Sequence, residues 1–420
     1  MLEERTCTHR RHDDVEGRGQ GRLSPHDLFC DTMEMMRPFT LDSFTIDIPQ
    51  ADIDDLHRRL DATRWPEAET VDDWSQGVPL AYIKELAEYW RHSYDWRSRE
   101  VRMNAFDQFV TEIDDLTIHF IHQRSPEPNA MPLLITHGWP GSIVEFLEVI
   151  GPLTDPVAHG GRAEDAFHVV CPSLPGYGFS SKPTANGTGV PKIASLWATL
   201  MERLGYERWV AQGGDWGSAI TTQIGRDASS QDDHGCIGIH VNMPIAVPTE
   251  KAMSDPDEGD QAAFAALGYY QQWDSGYSKQ QATRPQTLGY SLVDSPVGQL
   301  AWIIEKFWAW TDCDGHPENA LNRDAMLDDV MLYWLTGSGA SSARLYWESF
   351  GSFGGGEAVT IPSGIAAFPK EIIRPPRSWC ENSYNVTHWT DMPKGGHFAA
   401  FEQPALYVDD VRSCFRSLRP

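Results

Sequence analysis

The sequence predicts an α/β protein whose mostly parallel β-sheet is covered by helices and interrupted by a helical insertion. Three observations support this prediction. Short apolar runs typical of buried strands alternate with amphipathic helical stretches between residues 116 and 218. A stretch rich in Trp and Tyr, helical in pattern and without buried-strand runs, follows from residue 246 to 353. Strand character then returns at Val359.

The core elements are predicted in chain order as follows. Leu116–Phe120 alternates between apolar and polar residues, as a half-buried strand does. Met131–Thr136 is a nearly continuous apolar run, as in a strand buried on both faces. Phe167–Pro172 and Arg208–Gln212 are the next strands, and an apolar stripe over residues 193–204 predicts a helix between them.

The chain has 420 residues, which fits two or three domains or one large α/β domain with an insertion. The N-terminal region is expected to be helical because Ile53, Leu56 and Leu60 share one helical face. The expected parts are a disordered or dispensable leader (1–36), an N-terminal helical segment packing on core and cap (37–110), the first part of the core (111–245), a helical cap (246–353) and the second part of the core (354–420).

Composition excludes several classes of partner. Lys and Arg total 34 and Asp and Glu total 60, so the net charge of −26 disfavours binding to nucleic acid or to an anionic membrane. No apolar run approaches the roughly 20 residues of a membrane span, and the polar N-terminus does not fit a secretory signal. Seven dispersed cysteines without a CxxC pair indicate reduced thiols and a cytoplasmic protein.

The strongest chemical signal is Gly213-Gly214-Asp215-Trp216-Gly217, between a predicted strand and a predicted helix. Small residues two positions before and after a central residue suit a nucleophile elbow, because a Cβ there would clash in so tight a turn. A carboxylate at the centre attacks an sp³ carbon without prior deprotonation, and the ester formed can be hydrolysed. The simpler interpretation is a Gly-rich turn whose Asp caps a helix.

A second turn, His137-Gly138-Trp139-Pro140-Gly141, follows the buried strand that ends at Thr136. In hydrolases of this architecture, this loop supplies one N–H of the oxyanion hole, and the residue after the nucleophile supplies the other. These would be the backbone amides of Trp139 and Trp216. A plain strand-to-helix turn with a locally bonded His137 is the alternative.

A histidine base is expected after the last strand, and His397 lies there in the turn Gly395-Gly396-His397-Phe398. The rivals His388 and His316 do not sit in such a turn. The orienting acid should lie between nucleophile and histidine. Glu371, which follows the strand over residues 359–368, fits this position, whereas Asp391 is only six residues before His397.

These motifs resemble the microsomal-type branch of the epoxide hydrolases, in the α/β-hydrolase superfamily. The resemblance extends from Arg37 to about Leu418. It is carried by these blocks in order: MRPF (36–39), HGWPGS (137–142), CPSLPGYGFS (171–180), QGGDWGS (212–218), DSPVG (294–298), EKF (305–307), MLYWLTG (331–337) and GGHFAAFEQP (395–404).

The resemblance implies an α/β-hydrolase fold in which Asp215 is the nucleophile, His397 the base and Glu371 the acid that orients it. It also implies two cap tyrosines, Tyr277 and Tyr346, as proton donors to the opening epoxide oxygen. Four other cap tyrosines compete for these roles: Tyr269, Tyr270, Tyr290 and Tyr333. Mammalian members carry an N-terminal membrane anchor, whereas this chain begins with a polar leader, so membrane attachment is not implied.

The expected reaction is hydrolysis of a small, largely apolar epoxide to a vicinal diol through an ester on Asp215. A haloalkane-type dehalogenase with the same Asp and His, or a catalytically silent binding protein of this fold, are the alternatives. No cofactor or metal is implied, because no His, Cys and carboxylate cluster has ligand spacing. The identity of the epoxide, a role in detoxification or biosynthesis, and a homodimer or monomer all stay open.

Overall fold

The predicted β-sheet has nine strands in the part of the chain that the computed structural model describes, residues 40–231 and 234–419. From one edge to the other the order is β1-β2-β3-β5-β4-β6-β7-β8-β9. The first three pairs, β1–β2, β2–β3 and β3–β5, are antiparallel, and the five pairs from β5–β4 to β8–β9 are parallel. The strands are β1 Asp42–Phe44, β2 Gln108–Ile113, β3 Leu116–Gln123, β4 Met131–Thr136, β5 Phe167–Pro172, β6 Trp209–Gly213, β7 Cys236–Val241, β8 Val359–Ala367 and β9 Tyr384–Asp391.

Sixteen α-helices lie among the described residues. Seven of them, α7 to α13, form the predicted cap between β7 and β8, where no strand interrupts them in residues 246–353. The helices are α1 Gln50–Asp61, α2 Leu80–His92, α3 Trp96–Met103, α4 Leu147–Thr154, α5 Val190–Arg203, α6 Asp215–Ser230, α7 Glu250–Ser254, α8 Glu258–Tyr269, α9 Gly276–Thr283, α10 Pro285–Leu292, α11 Pro296–Trp310, α12 Arg323–Leu335, α13 Gly339–Ser349, α14 Arg377–Ser383, α15 Ala399–Glu402 and α16 Pro404–Phe415.

The strands predicted from apolar runs are confirmed to within a few residues. The centre of the sheet is fully buried, with Leu133, Val169 and Val210 inaccessible to solvent, because helices cover a parallel sheet on both faces. The helix α5 buries the predicted stripe and ends where Gly205 adopts a positive φ of 81°. No helix in residues 40–231 or 234–419 is long and apolar enough to cross a membrane.

The N-terminal segment is not purely helical, which corrects the expectation for residues 37–110. It contributes the edge strand β1, which pairs with β2, and β2 itself begins at Gln108. A strand of three residues is too short to leave an alternating pattern in the sequence. The expected leader, residues 1–36, lies outside the described residues.

The helices of the N-terminal segment pack against the cap. Polar contacts join it to α12, among them three at Asp324 and Asp328: Arg99 Nε donates to Asp328 at 2.8 Å, Tyr94 Oη donates to Asp328 at 2.8 Å, and Tyr89 Oη donates to Asp324 at 2.7 Å. Asp328 is almost fully buried, so its charge depends on these donors. The apolar faces of α1 and α2 contact α11 as well.

Candidate active site

Asp215 lies at the turn between β6 and α6, with a positive φ of 51° that is uncommon for a residue with a side chain. The glycines that flank it are sterically required, as predicted. A Cβ on Gly213 would lie 2.1 Å from the carbonyl oxygen of Gly217, and a Cβ on Gly217 would lie 1.9 Å from that of Thr136. The tight turn therefore presents the Asp215 carboxylate above the carboxyl ends of the central strands.

The loop after β4 meets this carboxylate. The backbone N–H of Trp139 donates to Asp215 Oδ1 at 2.8 Å, and Asp215 packs so closely on Gly138 that a Cβ there would lie 2.2 Å from Oδ1. The loop is tied to the cap, because Tyr333 Oη donates to the carbonyl oxygen of Gly141 at 2.8 Å and Ser142 Oγ donates to Asp329 at 2.6 Å. The cap thus fixes the position of the Trp139 amide.

Trp216, the other expected oxyanion donor, is the residue after Asp215 in α6 and is fully buried. Its amide makes no hydrogen bond to the Asp215 carboxylate within the described residues. An oxyanion hole is complementary to the charge of the transition state and not to the resting carboxylate. One of the two expected donors is therefore already engaged, and the second stays a prediction.

His397 brings together Asp215 and Glu371. Its Nε2 lies 3.3 Å from Asp215 Oδ2, and its Nδ1 lies 2.6 Å from Glu371 Oε1. The loops that follow the parallel strands β8 and β9 run side by side, joined by a bridge between Lys370 and Gly396, and so place Glu371 beside His397. Burial would lower the pKa of His397, but the carboxylates of Glu371 and Asp215 outweigh it and raise that pKa well above its ordinary value.

Glu402 holds the turn that carries His397 and was not anticipated from the sequence. Its carboxylate accepts hydrogen bonds from the backbone N–H groups of Gly396 and Phe398, both at 3.1 Å, and from that of Asp312 at 2.7 Å. Burial raises its pKa to about 7 despite these donors. Glu402 therefore links the histidine turn to the end of α11, in the cap.

The two predicted cap tyrosines face the site. Tyr277 stacks on the Trp139 indole with ring centroids 5.0 Å apart, and Tyr346 meets the same indole edge-on at 5.8 Å. Their rings lie 5.7 Å apart. The Tyr346 hydroxyl is buried and has no hydrogen-bond partner among the described residues. Burial raises the pKa of both phenols well above the ordinary value, so both are neutral donors at physiological pH.

Asp215 lines two cavities. A large one, of about 730 Å³, includes the cap residues Tyr277 and Tyr346 in its wall. Its other lining is mainly apolar, with Met243, Leu267, Phe353 and Trp379 among its residues. A small one, of about 10 Å³, is lined by Asp215, His397 and the loop after β4.

The rival residues have other partners or positions. His388 bonds to Asp410 at 2.8 Å, His316 accepts from the backbone of Glu318 at 3.3 Å, and the exposed Asp391 accepts from Trp389 at 3.0 Å. Tyr269 and Tyr290 are exposed at the surface, and the Tyr333 hydroxyl donates its hydrogen bond to the carbonyl oxygen of Gly141. None of these residues reaches the Asp215 carboxylate in the described structure.

Two further residues contact Tyr277: Tyr270, which the sequence offered as one of the competing cap tyrosines, and Lys306, whose role there was not anticipated. Tyr270, in a short π-helical turn after α8, has its hydroxyl 3.1 Å from that of Tyr277 and lines the large cavity. Lys306 is buried, with its ammonium 4.5 Å from the Tyr277 ring centroid, and is paired with Glu305 at 2.6 Å and Asp274 at 3.2 Å. The EKF block was a signal for Lys306, but nothing in the sequence connected it to Tyr277.

The fold and this geometry define the class of the protein as an α/β-hydrolase with a carboxylate at the nucleophile elbow. Comparison with known proteins agrees. Residues 131–288 match the family described as alpha/beta hydrolase fold, and residues 41–146 match the family described as epoxide hydrolase N terminus.

Relatives extend over most of the chain. A protein of Stigmatella aurantiaca, named provisionally as an epoxide hydrolase, is 54% identical over 90% of this chain and 85% of its own length. Epoxide hydrolase 1 of Sus scrofa is 36% identical over 90% of this chain and 88% of its own. The solved structure of the Aspergillus niger epoxide hydrolase is 31% identical, with a TM-score of 0.80, over 90% of this chain and 96% of its own. The chain therefore belongs to the epoxide hydrolase family, in the microsomal-type branch that the motifs indicated.

Proposed function

We propose that Asp215 is the nucleophile with which this epoxide hydrolase opens its substrate. The enzyme converts an epoxide and water into a vicinal diol. The observation that supports Asp215 is its position at the elbow, with one carboxylate oxygen held by the Trp139 amide and the other next to His397. Because Oδ1 is engaged, Oδ2 is the atom that attacks the epoxide carbon.

Tyr277 and Tyr346 both donate hydrogen bonds to the epoxide oxygen as the ring opens, and one of the two phenols gives its proton to that oxygen. An alkoxide is a poor leaving group, and neutral phenols in the wall of the cavity stabilise the charge that develops on it. The pair of phenols favours an epoxide over an alkyl halide, whose leaving group needs no proton. This step leaves a hydroxyalkyl ester on Asp215 and a tyrosinate in the cap.

His397 then activates the water that hydrolyses the ester. The negative charge of Asp215 is one of the causes that raise the pKa of His397. Alkylation removes that charge, so the pKa of His397 falls and the ring becomes available as a base. Glu371 keeps the ring oriented, and the amides of Trp139 and Trp216 stabilise the tetrahedral oxyanion.

The substrate is a small, largely apolar epoxide, since the lining of the large cavity is mainly apolar around the two phenols. A cytoplasmic location is part of the proposal, because the five cysteines within the described residues are free and buried, as in proteins of reducing compartments. Cell fractionation tests it: recovery of the enzyme in a membrane or secreted fraction would contradict a cytoplasmic location.

Isotope labelling tests the covalent route. Enzyme in excess is mixed with styrene oxide in ¹⁸O-water, and the diol from the first turnover is analysed by mass spectrometry. The expected diol carries an unlabelled oxygen from Asp215, and the label enters the enzyme carboxylate. A labelled first diol would show direct attack by water and overturn the assignment of Asp215. No diol from styrene oxide or from a panel of longer epoxides would overturn the activity.

A further inference from the structure

We infer that the small cavity lined by Asp215 is the binding site of the hydrolytic water, and that Glu145 and Thr136 hold the water there. The inference rests on the proposed covalent mechanism and adds two residues to it. It starts from the different linings of the two cavities: the phenols and the apolar lining belong to the large cavity, and His397 lines the small one. Epoxide and water therefore approach Asp215 from different cavities.

The small cavity has the size of one water molecule. Its volume is about 10 Å³, and a single water needs at least about 10 Å³ of accessible space together with two to four polar partners. Such partners are present, because Glu145 and Thr136 line this space together with His397. Organic molecules do not fit, so the site selects water by volume.

Glu145 and Thr136 are the lining groups whose hydrogen-bonding capacity is unused. Within the described residues, no group forms a hydrogen bond with the Glu145 carboxyl, and Thr136 Oγ1 is buried without a partner. Asn242, which also lines the cavity, is already engaged: its Oδ1 accepts from Gln212 at 3.0 Å and its Nδ2 donates to the His397 carbonyl at 3.4 Å. Buried polar groups without partners in the protein are commonly satisfied by water.

Local packing directs the Glu145 carboxyl to this place. It folds back over Gly141, so closely that a Cβ on Gly141 would lie 1.6 Å from Glu145 Oε1. Burial, and next the neighbouring charge of Asp329, raise the pKa of Glu145 well above its ordinary value. The Glu145 side chain is half-buried and lines the small cavity.

The hydrolytic step follows from these positions. The water gives a proton to His397 Nε2 while the water oxygen bonds to Cγ of the Asp215 ester. The other hydrogen of the water is hydrogen-bonded to the carbonyl oxygen of the Glu145 side-chain carboxyl group. The tetrahedral oxyanion collapses, the ester C–O bond breaks, and the diol oxygen takes the proton from the imidazolium. The carboxylic acid left on Asp215 loses its proton, and the tyrosinate formed during ring opening regains one.

The test separates the two half-reactions in Glu145→Leu, which keeps the bulk of the side chain and removes its polar atoms. Rapid mixing with styrene oxide gives the alkylation rate from the quenching of Trp fluorescence, and intact-mass analysis of quenched samples follows the decay of the ester. We expect alkylation at the normal rate and ester hydrolysis slowed about 10- to 100-fold, the scale of losing the alignment of a reactant.

Three further variants sharpen the result. Glu145→Gln retains a carbonyl oxygen and should restore most of the hydrolysis rate. Gly141→Ala should slow hydrolysis like Glu145→Leu, because the three atoms nearest to its Cβ all belong to Glu145, and it also serves as the test if Glu145→Leu does not fold. Glu148→Leu, a nearby carboxylate with 62% of its side chain exposed, is the control and should leave both steps unchanged.

Two outcomes would overturn the water site: an unchanged rate of ester hydrolysis in Glu145→Leu and Gly141→Ala, or an equal slowing of alkylation and hydrolysis, which would place Glu145 in the support of the loop that carries Trp139. A failure of the proposed function is distinct from both, since the wild-type enzyme would then show no ester at all.

Discussion

Two buried clusters of histidine and carboxylate can be compared among the described residues, and the one that contains His397 lines a cavity. In the first, His397 lies 2.6 Å from Glu371. In the second, Asp410 on α16 accepts from His240 on β7 and His388 on β9, both at 2.8 Å. The hydrogen-bond distances hardly differ between the two clusters, so distance alone does not distinguish the pair that we propose to be catalytic from the Asp410 cluster.

The two clusters differ in what surrounds the second ring nitrogen of the histidine. In His397 it faces the Asp215 carboxylate at 3.3 Å, beside the small cavity. In His240 the second nitrogen, Nδ1, is buried without a hydrogen-bond partner among the described residues. The Asp410 cluster joins α16 to two strands of the sheet, whereas His397 lies beyond the end of its strand. A buried histidine–carboxylate pair becomes reactive where its free nitrogen meets both a nucleophile and space for a reactant.

The largest expected effect comes from replacing His397 of the first cluster with glutamine, with the same replacement at His388 of the second cluster as the comparison. His397→Gln should lower the steady-state rate by at least about 10³-fold, because no base remains to activate water. Alkylation should continue, so the ester on Asp215 should accumulate and appear in the intact mass. The matched variant His388→Gln should turn over normally.

Either of two results would break this comparison. Loss of activity in His397→Gln without any adduct would mean that His397 serves substrate binding or folding. A strong loss of turnover per folded molecule in His388→Gln would mean that the Asp410 cluster also supports catalysis.

The cap tyrosines should give the next largest effect. Tyr277→Phe or Tyr346→Phe should each slow alkylation about 10²-fold, and the double variant should abolish ring opening, since no acid then meets the alkoxide. Phenylalanine retains the ring contacts with Trp139, so the melting temperature should stay close to that of the wild type. Tyr269→Phe, at a surface position with 64% exposure, is the control. Normal alkylation by a folded double variant would show that other donors act.

The smallest effect on catalysis, and the largest on stability, is expected at Asp410. Burial alone would raise its pKa, but hydrogen bonds from His240 and His388 hold that pKa well below the ordinary value. The carboxylate therefore stabilises the fold above the unfolded-state pKa of about 3.9, and this contribution is lost as the pH falls through the folded-state value. Asp410→Asn should lower the free energy of unfolding by about 3 kcal/mol at pH 7, with kcat unchanged.

Denaturant titrations at a series of pH values measure this contribution. The difference in stability between wild type and Asp410→Asn should shrink as the pH falls below about 4, where the carboxylate of the unfolded chain is already protonated. A difference that keeps growing as the pH falls below about 4 would contradict the assignment of the depressed pKa to Asp410.

The places of Asp215, His397 and Glu371 in the fold were predictable from the sequence because each lies in a turn that follows a recognisable parallel strand, while their catalytic roles stay predictions. Gly213 and Gly217 are required because a Cβ at either position would lie about 2 Å from a backbone oxygen. The turns that carry His397 and Glu371 follow parallel strands of the sheet. The arrangement of parallel strands then places the ends of these turns together. Here the local pattern and the tertiary structure agree.

The rest of the site could not be read from the pattern. Tyr277 and Tyr346 were chosen by family resemblance, since a helical cap offers many tyrosines and no register to the core. Tyr270 lies in a π-helical turn, and the periodicity of the sequence does not signal such a turn. Glu145 sits among apolar residues of an amphipathic stretch, where one carboxylate has the appearance of an ordinary surface residue. Its position in the wall of the small cavity depends on the tertiary contacts of the loop after β4.

The contacts between the N-terminal segment and the cap have a consequence for substrate access. On one side of α12, Asp328 accepts hydrogen bonds from Arg99 and Tyr94 of the N-terminal segment. On the other side, Tyr333 and Asp329 of α12 form hydrogen bonds with the loop after β4. A helix restrained on both sides does not swing as a hinged lid. We therefore expect the entrance to the active site to keep a fixed width. The rate at which an epoxide reaches Asp215 should then depend on the size of the epoxide and not on the rate of a conformational opening.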